Sequence, residues 1–166
     1  MKGNITYVGG DATAPRGEGK RIICHVCNDA GGWGRGFVVA LSARWREPES
    51  RYRAWHAQGA AGDFRLGAIQ VVEVDAEVSV ANMIAQRGTR PKAGVPPIRY
   101  DALRECLVAL AEHGSALGAS VHMPRIGCGL AGGTWSEVEA IVTSTLCEAG
   151  LPVIVYDLAT SDGRTG

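Results

Sequence analysis

The residues best placed to do chemistry run from His122 to Trp135, His-Met-Pro-Arg-Ile-Gly-Cys-Gly-Leu-Ala-Gly-Gly-Thr-Trp. An apolar strand, Ala119 to Met123, feeds a loop with four glycines, and Thr134-Trp-Ser-Glu137 then opens a helix. Thr134 and Glu137 have capping-box spacing, so the loop is expected to deliver unpaired backbone N–H groups at a helix N-terminus. Such an end attracts anions, and glycine lets a phosphate approach the main chain. Gly127-Cys-Gly-Leu-Ala-Gly132 also spells G-x-G-x-x-G, the dinucleotide pattern. Its position near the chain end, with one strand still to come, excludes a Rossmann arrangement.

A second glycine-rich loop, Cys27-Asn-Asp-Ala-Gly-Gly-Trp-Gly-Arg-Gly36, also stands between a strand and a helix. Two such loops facing one another would clamp a diphosphate. Other reactive side chains offer less. Cys24 and Cys27 form a lone C-x-x-C with no second pair to complete a zinc site, and strand spacing puts them on opposite faces. No metal site and no cofactor are expected. Cys128 at a helix start invites a nucleophile reading, with His25 or His122 as partner, but packing is the simpler role. His56 and His113 read as surface residues of helices.

The predicted strands are Asn4–Val8, Arg21–Val26, Ala68–Val74, Val78–Gln86, Ala119–Met123 and Val153–Leu158. Helices are predicted over Phe37–Arg44, Glu49–His56, Tyr100–His113 and from Thr134. Arg87 to Pro97 reads as a long basic loop. Apolar strands alternating with helices predict a three-layer α/β/α sandwich around a mixed sheet of about six strands. Residues 1–158 are expected to form one domain and 159–166 a frayed tail. The chain has 166 residues, 46% hydrophobic and 20% charged, with zero formal net charge. That balance opposes a broad basic nucleic-acid face but not a small anionic ligand. Lacking a membrane-length apolar run or a signal peptide, the chain is expected to be cytoplasmic, with its five cysteines as thiols.

Four segments resemble the macrodomain family: Ile5-Thr-Tyr-Val-Gly-Gly-Asp11, His25 through the Gly31–Gly36 loop, Ala81-Asn-Met-Ile-Ala-Gln86, and Met123-Pro-Arg-Ile-Gly-Cys-Gly-Leu130. The last is similar to the branch containing the terminal ADP-ribose protein glycohydrolase. The resemblance implies an ADP-ribose ligand and an ADP-ribosylated protein as partner, with nucleic acid less favoured and a monomer expected. It implies that Asp11 receives the adenine amino group beside Ala12. Gly34, Arg35, Gly36 and Phe37 would line one side of the diphosphate and distal ribose, and Trp33 would cover that ribose. Ile126, Gly127, Cys128, Gly129, Leu130 and Ala131 would line the other side. Tyr156 would pack near the adenine or in the core.

The departures bear on mechanism. The glycohydrolase pattern has a lysine where this chain has Gln86 and an aspartate where it has Ala131. Glutamine forms no Schiff base and alanine transfers no proton. What remains is hydrolysis by a water held near C1″ by Asn28, Gln86 or Arg35, with the diphosphate taking the proton. The alternatives are a non-catalytic ADP-ribose reader, a phosphatase acting on ADP-ribose 1″-phosphate with Asp29 as a candidate base, or a nucleic-acid ADP-ribosyl hydrolase drawing on Arg87, Arg90 and Lys92.

Overall fold

The computed structural model describes residues 2–158, so the expected tail lies outside the described residues. Six strands form one sheet: β1 (Ile5–Gly9), β2 (Arg21–Asn28), β3 (Ile69–Glu73), β4 (Val78–Gln86), β5 (Ser120–Met123) and β6 (Val153–Asp157). Their spatial order is β1-β6-β5-β2-β4-β3. Every neighbouring pair is parallel except β3 with β4. The helices are α1 (Phe37–Arg44), α2 (Glu47–Gln58), α3 (Tyr100–Leu117) and α4 (Trp135–Val142). This is the expected α/β sandwich, with boundaries shifted by a few residues and α3 one turn longer than its apolar spacing suggested.

β2 is central because its sequence, Arg-Ile-Ile-Cys-His-Val-Cys-Asn, has little to offer water on either side. Alternate residues feed two cores. Ile22 and Cys24 pack with Leu103 and Leu107 of α3 and Val138 of α4. Ile23 and Cys27 pack with Leu41 of α1 and with Tyr52 and Trp55 of α2. Cys24 and Cys27 therefore lie on opposite faces, and burial pushes both thiols up. All five cysteines are free.

This layering places the site. The chain leaving β2 enters helices on one face, and the chain leaving β5, its neighbour, enters α4 on the other. The two connections diverge and leave a crevice between the carboxyl ends of β2 and β5, where open α/β sheets hold ligands. The carboxyl ends of β1, β6 and β4 share that edge because the five strands run parallel.

Candidate functional site

A bulge between Cys27 and Asn28 brings Asn28 opposite Gln86 at the ends of β2 and β4. Asn28 then acts as a post for the glycine loop. Its Oδ1 accepts from the N–H groups of Ala30 (2.9 Å) and Gly32 (3.0 Å), and its Nδ2 donates to Gly32 O (2.9 Å). The Tyr52 hydroxyl donates to Asn28 O (2.6 Å), lies 3.0 Å from Oδ1, and accepts from Gly31 N (3.1 Å). These partners turn the Asn28 amide towards the loop's own main chain.

Trp33 departs from its expected place over a ribose. It is 6% exposed. Its indole N–H donates to Ser42 Oγ at 2.8 Å, and its ring meets His25 edge-on and leans on Tyr52. Burial against aromatic partners outweighs exposure on the loop surface. Gly34, Arg35 and Gly36 remain exposed beyond it, and Phe37 is half-buried at the start of α1.

The loop after β5 is held differently. Gly133 N donates to Gly127 O (2.7 Å) and Gly132 N to Gly129 O (3.1 Å). Gly127 and Gly132 sit at φ 73° and 79°, where a side chain is strained. The predicted capping box does not form: Thr134 makes no side-chain cap, and its N–H instead donates to the Tyr100 hydroxyl at 3.1 Å. Arg125 straps the loop's base to β6 through paired bonds to Asp157 (2.7 and 3.0 Å). Its guanidinium lies 5.2 Å from the Tyr7 ring centre and 5.3 Å from that of Trp135. The Arg125 cation holds the Asp157 carboxyl below the usual range.

The two loops meet. A Cβ on Gly36 would lie 3.6 Å from Leu130 Cδ1. The backbone N–H groups of Gly34, Arg35, Cys128, Gly129 and Leu130 have no hydrogen-bond partner among the described residues. Side chains at Gly34 or Gly129 would enter open space, and neither glycine has positive φ. The free protein thus sets no steric demand for glycine at either position.

At one end of this crevice Asp11 is exposed. Its Oδ1 accepts from Thr13 N and Thr13 Oγ1, both at 2.8 Å, and its Oδ2 has no partner among the described residues. Ala12 is buried beneath it. Tyr156 is an interior residue, 2% exposed. Its hydroxyl accepts from Arg16 N (2.8 Å) and bonds His122 Nδ1 (2.7 Å), so it fixes the turn that carries Asp11. At the other end Gln86 is half-buried, with Nε2 donating to Gly88 O at 3.0 Å. Asp29 Oδ1 accepts from Gly88 N (2.8 Å).

Cys128 lies in the loop, well ahead of α4. Its thiol donates to Ile126 O, and burial pushes it up rather than down. His25 bonds Asn82 and His122 bonds Tyr156 and Ser120; burial lowers both rings to about 4. Neither is arranged as a base for Cys128. His56 and His113 are exposed, as expected. Among the described residues no cluster of His, Cys, Asp and Glu could hold a metal ion, and no helix is long and apolar enough to cross a membrane. Sequence reasoning missed Tyr52, Arg125 and Asp157, the side chains that hold the loops in place.

No family model matches the sequence. Solved structures do. A protein of unknown function from Bacteroides thetaiotaomicron is 52% identical, with a TM-score of 0.91, covering 94% of this chain and 99% of that one. A macrodomain protein from Streptomyces coelicolor is 54% identical, with a TM-score of 0.84, covering 93% and 99%. A Thermosipho africanus DarTG solved in complex with ADP-ribose shares the fold at 18% identity, with a TM-score of 0.70, covering 97% of this chain and 43% of that one. Among curated proteins, chromodomain-helicase-DNA-binding protein 1-like of Mus musculus is 32% identical over 97% of this chain. The chain spans only 18% of that relative's length. With a match that covers nearly all of both chains at over half identity, the chain belongs to the macrodomain family.

Proposed function

We propose that this macrodomain binds ADP-ribose and hydrolyses the ester joining its distal ribose to an acidic side chain, as the likeness of Met123–Leu130 to the glycohydrolase branch implies. The observation that carries the binding is the pair of facing loops with unpaired amides, at glycines that the free protein does not itself require. Donors fixed before the ligand arrives hold a diphosphate without reorganisation. On this reading adenine sits at Asp11 beyond β1, the diphosphate across the β5 and β2 loops and the distal ribose towards Gln86 at the end of β4, an order of subsites that the strand order supports.

The chemistry available there is water attack. Water oxygen bonds to C1″, the carboxylate leaves with its electron pair, and a diphosphate oxygen takes the water proton. Gln86 Oε1 has no partner among the described residues and can orient that water, and the exposed Arg35 can approach the leaving carboxylate. Asn28 acts as a positioning residue, since its amide already holds the loop. Ala131, 5% exposed, puts a methyl group where the branch pattern has its aspartate. That substitution, with Gln86, favours the second reading, an ADP-ribose reader without turnover.

One assay separates the two. Release of ADP-ribose from a glutamate-modified protein, lost in Gln86→Ala with ADP-ribose affinity retained, supports the hydrolase. Tight binding with no release supports the reader, and no calorimetric heat with ADP-ribose on folded protein removes both.

A further inference from the structure

The segment after Gln86 lines a cavity of about 310 Å³ that lies outside the proposed ADP-ribose path. Arg87, Arg90, Lys92 and Arg99 line it, together with Asp29, Gly88 and Val95. The segment 87–99 forms this pocket because both its ends are tied to the site. Arg87 N donates to Pro97 O (2.8 Å), Arg99 N to Ala85 O (2.8 Å), and Ile98 N to Ala131 O (3.0 Å). Lys92 and Val95 pair their main chains at its tip.

Charge at the pocket is uncompensated. Arg99 is turned inward, its Nη1 donating to the carbonyls of Pro96, Pro97 and Ile98. Arg87, Arg90 and Lys92 are exposed, and none forms an ion pair among the described residues. Asp29 is the one carboxylate in the lining, and its Oδ1 already accepts from Gly88 N. In a chain of zero net charge, this is a local surplus of cations. They face an anion.

Position identifies which anion. The pocket follows β4, at the opposite side of the crevice from Asp11. A ligand running from Asp11 to Gln86 presents its C1″ to this pocket, so whatever is esterified there passes over it. Aromatic side chains are missing from the lining, which gives a nucleobase no stacking platform. The cations are clustered rather than spread in a track that would follow a phosphate backbone.

We propose that the pocket after β4 is an acceptor-side subsite that holds carboxylates flanking an ADP-ribosylated acidic residue, so that the favoured substrate is an acidic peptide segment. The inference rests on the ADP-ribose reading above. Its pieces are exposed ion pairs, each weak alone, so the expected gain is about tenfold for three together.

The test uses two peptides carrying ADP-ribose through a non-hydrolysable linkage, one flanked by glutamates and one by glutamines. Anisotropy at roughly 50 mM salt should show the acidic peptide binding about tenfold more tightly, with the difference fading at high salt. The triple variant Arg87→Gln, Arg90→Gln, Lys92→Gln should erase the preference while free ADP-ribose binds as before. Equal affinity for both peptides, or a preference surviving in the triple variant, overturns the subsite and leaves the ADP-ribose reading standing. So does an ADP-ribosylated oligonucleotide that binds more tightly than the acidic peptide and weakens in the triple variant. Failure of free ADP-ribose to bind the unaltered protein overturns the functional reading itself.

Discussion

The two glycine loops look alike in sequence and are built in opposite ways. The loop after β2 is held by side chains: Asn28 and Tyr52 receive or satisfy the amides of Ala30, Gly31 and Gly32, and Trp33 is anchored in the core. The loop after β5 is held by its own main chain, Gly133 to Gly127 and Gly132 to Gly129, with Arg125 clamping its base. A side-chain post makes a loop's shape depend on one or two buried groups. A backbone-closed loop spreads the same task over conformations only glycine adopts. Substitutions should therefore separate them.

The largest effect belongs to Asn28→Ala. It removes the acceptor for two amides and leaves the Tyr52 hydroxyl with fewer partners in a buried setting. Unsatisfied buried groups cost about 1–3 kcal/mol each, so a stability loss of about 3 kcal/mol is expected by urea denaturation. ADP-ribose affinity should fall with it. If the variant keeps both its stability and its affinity, the side-chain post is not what shapes this loop.

Acid should act on the same side of the comparison. His25 supports Trp33 and Phe37 from below, and burial lowers its ring to about 4 from an ordinary 6.5. Between those values the unfolded chain binds a proton that the folded one refuses, so stability is full above about pH 6.5 and falls as pH drops towards 4. The loss for this ring is on the order of 3 kcal/mol. His122, lowered likewise, adds to the slope from beneath the Asp11 turn. Asp157, by contrast, is held low by Arg125 and keeps its contribution until pH falls below the ordinary carboxylate range. Denaturation midpoints from pH 7 to 4 should decline in the unaltered protein and less steeply in His25→Phe. Identical slopes in the two would remove His25 as the cause.

How much of this the sequence disclosed follows from the range of each interaction. β2 was legible because an unbroken apolar run needs no partner to be recognised, and the loops because glycine marks turns locally. Gln86 and Ala131 stood out as departures from a pattern of adjacent residues. The capping box misled because Tyr100, 34 residues earlier, supplies a hydroxyl to the Thr134 amide. Trp33 misled because its neighbours His25 and Tyr52 are assembled only by the fold. Arg125 and Asp157 lie 32 residues apart with no periodicity to connect them. The basic stretch after Gln86 was visible as charge, but its closing into a pocket depends on the Ile98 bond to Ala131.

A third change probes the clamp on the backbone-closed loop. Arg125→Lys keeps the charge and loses both the paired geometry to Asp157 and the flat contact with Tyr7 and Trp135. The pair is partly exposed, so the stability loss should be modest, about 1 kcal/mol. The loop's internal bonds remain, so ADP-ribose affinity should fall less than in Asn28→Ala. A larger fall would show that the loop after β5 also relies on a side-chain post.

The smallest effect on folding is the most telling for function. Gly129→Ala places a methyl group in open space at an unstrained φ, and so does Gly34→Ala in the facing loop. Thermal midpoints should stay within the roughly 0.5 kcal/mol expected of surface changes. Each methyl group nevertheless stands beside unpaired amides, where a diphosphate must come within about 3 Å of nitrogen to bond. Affinity for ADP-ribose should drop about tenfold or more in each variant, by calorimetry, with folding untouched. Gly36→Ala is the control within the same crevice, because its φ of 80° taxes the fold as well. Should Gly34→Ala and Gly129→Ala bind as tightly as the unaltered chain, these glycines do not mark a ligand's approach, and the two loops are turns that happen to face one another.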